Sequence, residues 1–205
     1  MKKLVIIGAS GQGRVVADIA RNNGYDEIVF LDDNSTSSFC GYYPIVGKSN
    51  DFILHKSAEF IVAIGNSKVR ETIQTKLEKN GMNIATLIHP RSVVAADVKI
   101  GAGTVIMAGA VVNPGTSIGK GCILNTCSSV DHDCIVDAYV HISVGAHVAG
   151  TVKIGEHTWI GAGATVINNV EITKACMIGA GAIVVKSLND SGTYVGVPAK
   201  LKSSN

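Results

Sequence analysis

From Val94 to Val184 an aliphatic residue stands at every sixth position, sixteen in succession without a slip of register. The series runs Val94, Ile100, Ile106, Val112, Ile118, Leu124 and on through Ile178 to Val184. Four places after each member comes a small or β-branched residue, among them Thr104, Ala110, Thr116, Cys122, Cys134 and Cys176. One place after it Gly, Asn or Asp is frequent, as at Gly101, Asn113, Gly119, Asp131, Gly155 and Gly179; these types tolerate the left-handed backbone of a tight corner. So regular a period marks a repeat architecture. Each hexad is predicted to be a short strand plus a turn, with the aliphatic column and the cysteines of the second column facing inward.

The first ninety residues follow a different pattern. LVII reads as a buried strand, VVADIARNNG as a helix stopped at Gly24, and EIVFL as a second strand ending at Asp32-Asp33. EFIVAIG (59–65) is a further strand, NSKVRETIQTKLEKNG a second amphipathic helix, and NIATLI a last strand. His89-Pro90 marks the passage into the repeat, so the predicted domains are 1–90 and 91–205.

The hexad repeat resembles the hexapeptide-repeat family. That resemblance implies a left-handed parallel β-helix of triangular section, three hexads to an eighteen-residue coil, hence five coils over 94–183. The expected fold is therefore an α/β Rossmann-like N-terminal unit followed by a left-handed parallel β-helix.

Composition narrows the possibilities. Charged residues are 17% of the chain and aromatics 5%, with 23 glycines, so few charges are left to solvate an exterior and self-association is expected. A net charge of +2 gives no reason to expect a nucleic-acid partner. The apolar run after Lys2-Lys3 breaks at Gly8, too short for a signal peptide, and no stretch approaches membrane-spanning length. The five cysteines form no CxxC pair and read as reduced thiols, which suits a cytoplasmic protein.

Two regions carry candidate chemistry. Gly8, Gly11 and Gly13 open the first helix as GxxGxG, where backbone N–H groups are placed either to receive a phosphate or simply to make a tight turn. Asp32-Asp33 suits a ribose or base contact, or a solvated strand end, and AIGNS (63–67) lies on the same carboxyl edge of the sheet. In the repeat, three of six histidines fall within sixteen residues: His132, His141 and His147. His132 lies two places after an inward Val130 and is expected to face outward, with Pro114 and Gly150 as its neighbours one coil away. His141 and His147 end successive hexads and so lie on successive faces; they can meet on one metal only across a subunit interface.

GASGQG with LDD, then AIGN, SSVDHDCIVDAYVHISVGAHVAG and finally VGVPAK together resemble the bacterial sugar acyltransferases of glycan biosynthesis over roughly residues 3–200. The nearest group is the UDP-4-amino-sugar N-acetyltransferases of the bacillosamine type, followed by sialic-acid O-acetyltransferases. The resemblance implies that His132 is the general base, Asp133 raises its basicity, and His141, Gly150, Ala162 and Ala180 contact acetyl-CoA. It implies that Ser10, Gly11, Gln12, Asp32, Asp33 and Gly65 face a UDP-amino-sugar, and that the chain works as a homotrimer with acetyl-CoA between adjacent helices. One departure is visible: where the bacillosamine enzymes often carry His in the glycine loop, this chain has Gln12.

The chemistry agrees with that assignment. An amine attacking a thioester must lose a proton, and imidazole, titrating at about 6.5, is suited to take it. A backbone N–H near Gly150 is a candidate oxyanion donor. A covalent route through Cys127 or Cys134 lacks an activating partner. The competing readings are O-acetylation of a sugar hydroxyl, a trimeric zinc hydratase, and a non-catalytic nucleotide-sensing module.

Overall fold

A computed structural model describes residues 2–202, and the chain divides after Pro90 into two compact units. In the first, a six-stranded sheet is built from β1 (Lys3–Ile7), β2 (Glu27–Leu31), β3 (Phe39–Cys40), β4 (Tyr43–Gly47), β5 (Glu59–Val62) and β6 (Asn83–Ile84). The order is β3-β4-β2-β1-β5-β6, all parallel except the β3–β4 pair. Helix α1 (Gly11–Asn22) joins β1 to β2, and α2 (Ser67–Lys79) joins β5 to β6. The central strand β1 is apolar throughout Leu4–Ile7 because both its faces are covered, and these four side chains are at most 2% exposed. Full burial of each contributes roughly 1.5–3 kcal/mol.

Local chemistry sets the helix starts. Asn66 caps α2, its side-chain oxygen accepting from the N–H groups of Lys68 and Val69 at 3.1 Å each. At α1 no side chain caps the helix; the requirement there is closeness. A Cβ on Gly13 would run into the Gly8 carbonyl and the Phe30 ring, so only glycine lets α1 lie this near the sheet. The hairpin β3–β4 and a 3-10 turn at Ser49–His55 were not evident from the sequence pattern, and NIATLI is broken at Ala85-Thr86 into two short pairs, Asn83–Ile84 and Leu87–Ile88.

The second unit is a coil of two-residue parallel strands stacked every eighteen residues on three faces. Within each strand the first residue points out and the second in, so the aliphatic column is buried: Val130, Ile142, Ile160 and Val166 are 0% exposed. The second inward column includes three threonines whose hydroxyls are satisfied internally. Thr104, Thr116 and Thr158 each donate to a carbonyl of the next coil and accept from the N–H of Cys122, Cys134 or Cys176.

The corners differ from the sequence-based expectation. From Ile100 to Ile178 left-handed residues occur three places after each aliphatic, not one: among them Gly103, Gly109, Gly115, Cys127 (φ 56°), Asp133 (58°), Thr151 (61°) and Asn169 (62°). Each non-glycine costs about 1–2 kcal/mol there. Hydrogen bonds to the preceding coil hold them, as from Asp133 N–H to the Pro114 carbonyl at 3.0 Å and from Thr151 N–H to the His132 carbonyl at 2.9 Å. The glycines one place after the aliphatic serve close approach instead. A Cβ on Gly119 would stand 2.6 Å from the Ala138 nitrogen, and one on Gly155 would stand 2.5 Å from that of Lys174.

Candidate functional site

The corner after strand Ser129–Val130 presents His132 and Asp133 to solvent, their side chains 56% and 65% exposed. His132 Nδ1 lies 2.8 Å from Asp133 Oδ2. An ionised carboxylate only accepts, so Nδ1 carries the proton and the lone pair of the neutral ring is on Nε2. That hydrogen bond, with the charges of Asp131 and Asp133, pushes the imidazole above its usual range. The arrangement can serve chemically as a base with an orienting acid.

Its support is built from two coils. Asp131 Oδ1 accepts from Asn113 Nδ2 at 2.7 Å and from the His132 N–H at 2.8 Å; the Asn113 bond and then the His132 bond hold the Asp131 carboxyl below its ordinary range. From the interior, Thr116 donates to the Asp131 carbonyl at 2.7 Å while accepting from Cys134 N–H at 3.1 Å, which fixes both ends of the 131–134 corner. Gly150, one coil further on, lies under the imidazole ring.

A second feature occupies another corner. Asn125, His141, Ser143, Trp159, Ala162, Met177 and Ala180 are among the residues lining a mainly apolar groove of about 410 Å³. His141 is nearly buried and stacks on Trp159, ring centroids 4.9 Å apart at 21°. Trp159 Nε1 donates to Ser143 Oγ at 2.5 Å. Asn125 Oδ1 accepts from Thr126 N–H at 2.8 Å, which turns its Nδ2 to His141 Nε2 at 3.3 Å and favours the tautomer with hydrogen on Nδ1. The small residues Gly161, Ala162, Gly179 and Ala180 lie with Val144, Trp159 and Met177 along this groove, whose narrow, mainly apolar lining could hold the slender arm of a thioester cofactor.

The predicted residues thus fall into two groups within the coil. His132, Asp133 and Gly150 come together at one corner; His141, Ala162 and Ala180 come together in the groove at another, and Gly150 is not among the groove's lining residues. Sequence reading missed Asn125, Ser143 and Trp159. The eighteen-residue register held the signal, because Trp159 pairs directly with His141 in the stack.

The other polar candidates have different surroundings. His147 Nδ1 pairs with Ser129 Oγ at 2.8 Å on the face between the two corners. Among the described residues no cluster of His, Cys, Asp or Glu could hold a metal ion. Cys134 is fully buried and its thiol is pushed up by that burial, which disfavours a nucleophilic thiolate.

In the N-terminal unit, Asp32 organises the glycine loop. It accepts from the N–H groups of Ala9 (2.7 Å), Asn34 (2.8 Å) and Ser35 (2.7 Å), and these bonds outweigh partial burial to hold the carboxyl below its ordinary range. Asp33 is engaged by the Ser49 N–H at 2.8 Å and hydroxyl at 2.7 Å. Ser10 and Gly11 lie exposed at the start of α1. Gln12 is half-buried there, and its Nε2 has no acceptor among the described residues. Gly65 lies on the next strand-to-helix turn, with open space where a Cβ would be.

Residues 3–77 match the family described as PglD N-terminal domain, and residues 151–186 match bacterial transferase hexapeptide (six repeats). The acetyltransferase domain of PglB from Neisseria gonorrhoeae, solved with acetyl coenzyme A, is 40% identical, with 98% of this chain and 99% of that one covered and a TM-score of 0.93. PerB from Caulobacter crescentus, solved with CoA and GDP-perosamine, is 34% identical, with 99% and 98% covered and a TM-score of 0.94. The UDP-N-acetylbacillosamine N-acetyltransferase of Bacillus subtilis is 34% identical over 112 residues, 52% of each chain, so the match spans about half the length of that relative. The chain belongs to the PglD-type sugar acetyltransferases, in which a Rossmann-like unit precedes a left-handed β-helix of hexapeptide repeats. No helix among the described residues is long and apolar enough to cross a membrane.

Proposed function

We propose that this protein is an N-acetyltransferase moving the acetyl group of acetyl-CoA to the 4-amino group of a UDP-linked 4-amino-4,6-dideoxy sugar, by direct transfer. The observation that carries the reading is the His132–Asp133 pair, which leaves Nε2 as the free base at an exposed corner. The amine nitrogen attacks the thioester carbonyl and the N–C bond forms. Nε2 accepts the proton shed by that nitrogen; as the tetrahedral intermediate collapses the C–S bond breaks, and the proton passes to the departing CoA sulfur. A backbone N–H near Gly150 is the proposed oxyanion donor.

His141, Ala162 and Ala180 hold the cofactor in the apolar groove, and Gly150 leaves the base its space. Because base and groove stand on different corners of one coil, a thioester held by one copy meets the imidazole of a neighbour. This geometry, with the low surface charge, supports the homotrimer. In the N-terminal unit, Ser10, Gly11, Gln12, Asp32, Asp33 and Gly65 receive the nucleotide sugar, with the Gln12 amide available to a ligand oxygen. Five free thiols suit a cytoplasmic setting, where acetyl-CoA is available.

Steady-state turnover with acetyl-CoA tests the reading, comparing a UDP-4-amino sugar with its 4-hydroxy analogue and with the GDP-linked amino sugar. Preference for the UDP-amine at a light-scattering mass of three 21.3 kDa chains is expected. Preference for the hydroxyl replaces N- by O-transfer, preference for GDP replaces the base, and a monomer active at nanomolar concentration removes the shared site.

A further inference from the structure

The largest fully buried side chain in the protein is a cation, Arg70, 1% exposed in the first turns of α2. Removing a guanidinium from water costs several kcal/mol, so what it bonds to matters. Its Nη1 donates to the Ile64 carbonyl at 2.7 Å and the Gly65 carbonyl at 2.9 Å, reaching back past the helix start to the strand-to-helix turn. The next carbonyl, that of Asn66, accepts from the Arg70 N–H at 2.9 Å. Three successive carbonyls of the turn are therefore drawn toward one residue.

Peptide geometry turns this into a statement about the opposite side. In a planar trans peptide C=O and N–H point in opposite directions. Both peptides are trans, since the one cis bond among the described residues is Val197–Pro198. With the Ile64 and Gly65 oxygens held by the guanidinium, the Gly65 and Asn66 N–H groups face away from it. Neither donates to a protein group among the described residues. Successive N–H groups aimed one way form a concavity that takes an anionic oxygen. The turn is pressed on the glycine loop: a Cβ on Gly8 would stand 2.9 Å from both the Ala63 oxygen and Ile64 Cγ1.

We infer that Arg70 is a positioning residue for the nucleotide-sugar site: from behind the turn it holds the Gly65 and Asn66 N–H groups toward the diphosphate of the substrate. This rests on the proposed nucleotide-sugar function. Lysine replaces it only in part: an ammonium can also donate to two carbonyls, but it lacks the rigid guanidinium plane that fixes the directions of the two Nη1 hydrogens.

The test compares wild type, Arg70→Met and Arg70→Lys in steady-state kinetics, with UDP and GDP binding followed by calorimetry and ¹⁵N amide shifts. Arg70→Met is expected to raise KM for the nucleotide sugar tenfold or more with kcat and the acetyl-CoA KM unchanged, and Arg70→Lys to recover part of the loss. In wild type the Gly65 and Asn66 amides shift on adding nucleoside diphosphate. If Arg70→Met does not fold, the lysine variant and the wild-type amide shifts decide. A folded Arg70→Met with unaltered KM, or Gly65 and Asn66 amides that do not respond to a bound diphosphate, overturns the inference alone. A wild-type protein that binds neither UDP nor GDP overturns the function it rests on as well.

Discussion

Gly150 lies directly beneath the imidazole of His132: a Cβ at position 150 would stand 2.5 Å from Nε2 and 2.6 Å from Cε1. The ring occupies the space that the missing side chain leaves, and the atom nearest it is the one that carries the lone pair. Gly150 has no left-handed φ, so glycine is required there by the ring and not by the backbone.

Gly150→Ala is therefore expected to fold normally while swinging the imidazole off its position. The expected loss in kcat is tenfold or more, approaching the roughly 10²–10⁴-fold of His132→Ala. Thermal melting of both variants should stay within a few degrees of wild type. An alanine enzyme with unchanged kcat would show that the ring position seen here is not the one used in catalysis.

Asp133→Asn separates orientation from charge. Residue 133 has φ 58°, a conformation asparagine tolerates, so the corner is preserved. The carboxylate raises the imidazole pKa in the wild type, and the base works in its neutral form, so activity climbs as pH rises through that pKa. Losing the carboxylate lowers the pKa. The ascending limb of kcat/KM then moves to lower pH, and the plateau falls because a less basic imidazole is a weaker proton acceptor. A limb that stays put, or moves up, excludes His132 as the titrating base.

Much of this is legible in the sequence, and the parts that are not escape it for definable physical reasons. The buried column from Val94 to Val184 was readable because a period of six leaves no alternative register. The left-handed corners were misplaced by two positions because Gly is frequent in both columns for different causes. At Gly119 it makes room for the next coil, whereas at Gly109 it adopts positive φ, and the Cys127, Tyr139, Thr151, His157 and Ala175 corners take the left-handed conformation with residue types that do not signal it. The β3–β4 hairpin escaped because NSTSSFCGYYP carries no alternation strong enough to signal two short strands. Trp159 was missed because its importance lies in stacking on a residue eighteen positions back, a relation invisible along the chain until the coil length is applied to the outward column as well as the inward one.

That stack sets the last expectation. Trp159 is about one-third exposed (37%), yet it forms one wall of the apolar groove proposed for the cofactor, covers one face of His141 and is itself pinned by Ser143 Oγ. Trp159→Ala removes a ring contact worth about 0.5–1.5 kcal/mol, so the fold should survive with a modestly lower Tm. The groove, however, loses a wall and His141 loses the surface that fixes its plane. Acetyl-CoA KM is expected to rise about tenfold while KM for the nucleotide sugar stays the same, and Trp159→Phe, which keeps a stacking face but not the bond to Ser143, should fall between. Tryptophan fluorescence offers a direct readout, because Trp159 is the one tryptophan in the chain and CoA entering the groove should change its emission. Emission indifferent to saturating CoA, with turnover intact in Trp159→Ala, would place the cofactor elsewhere on the coil.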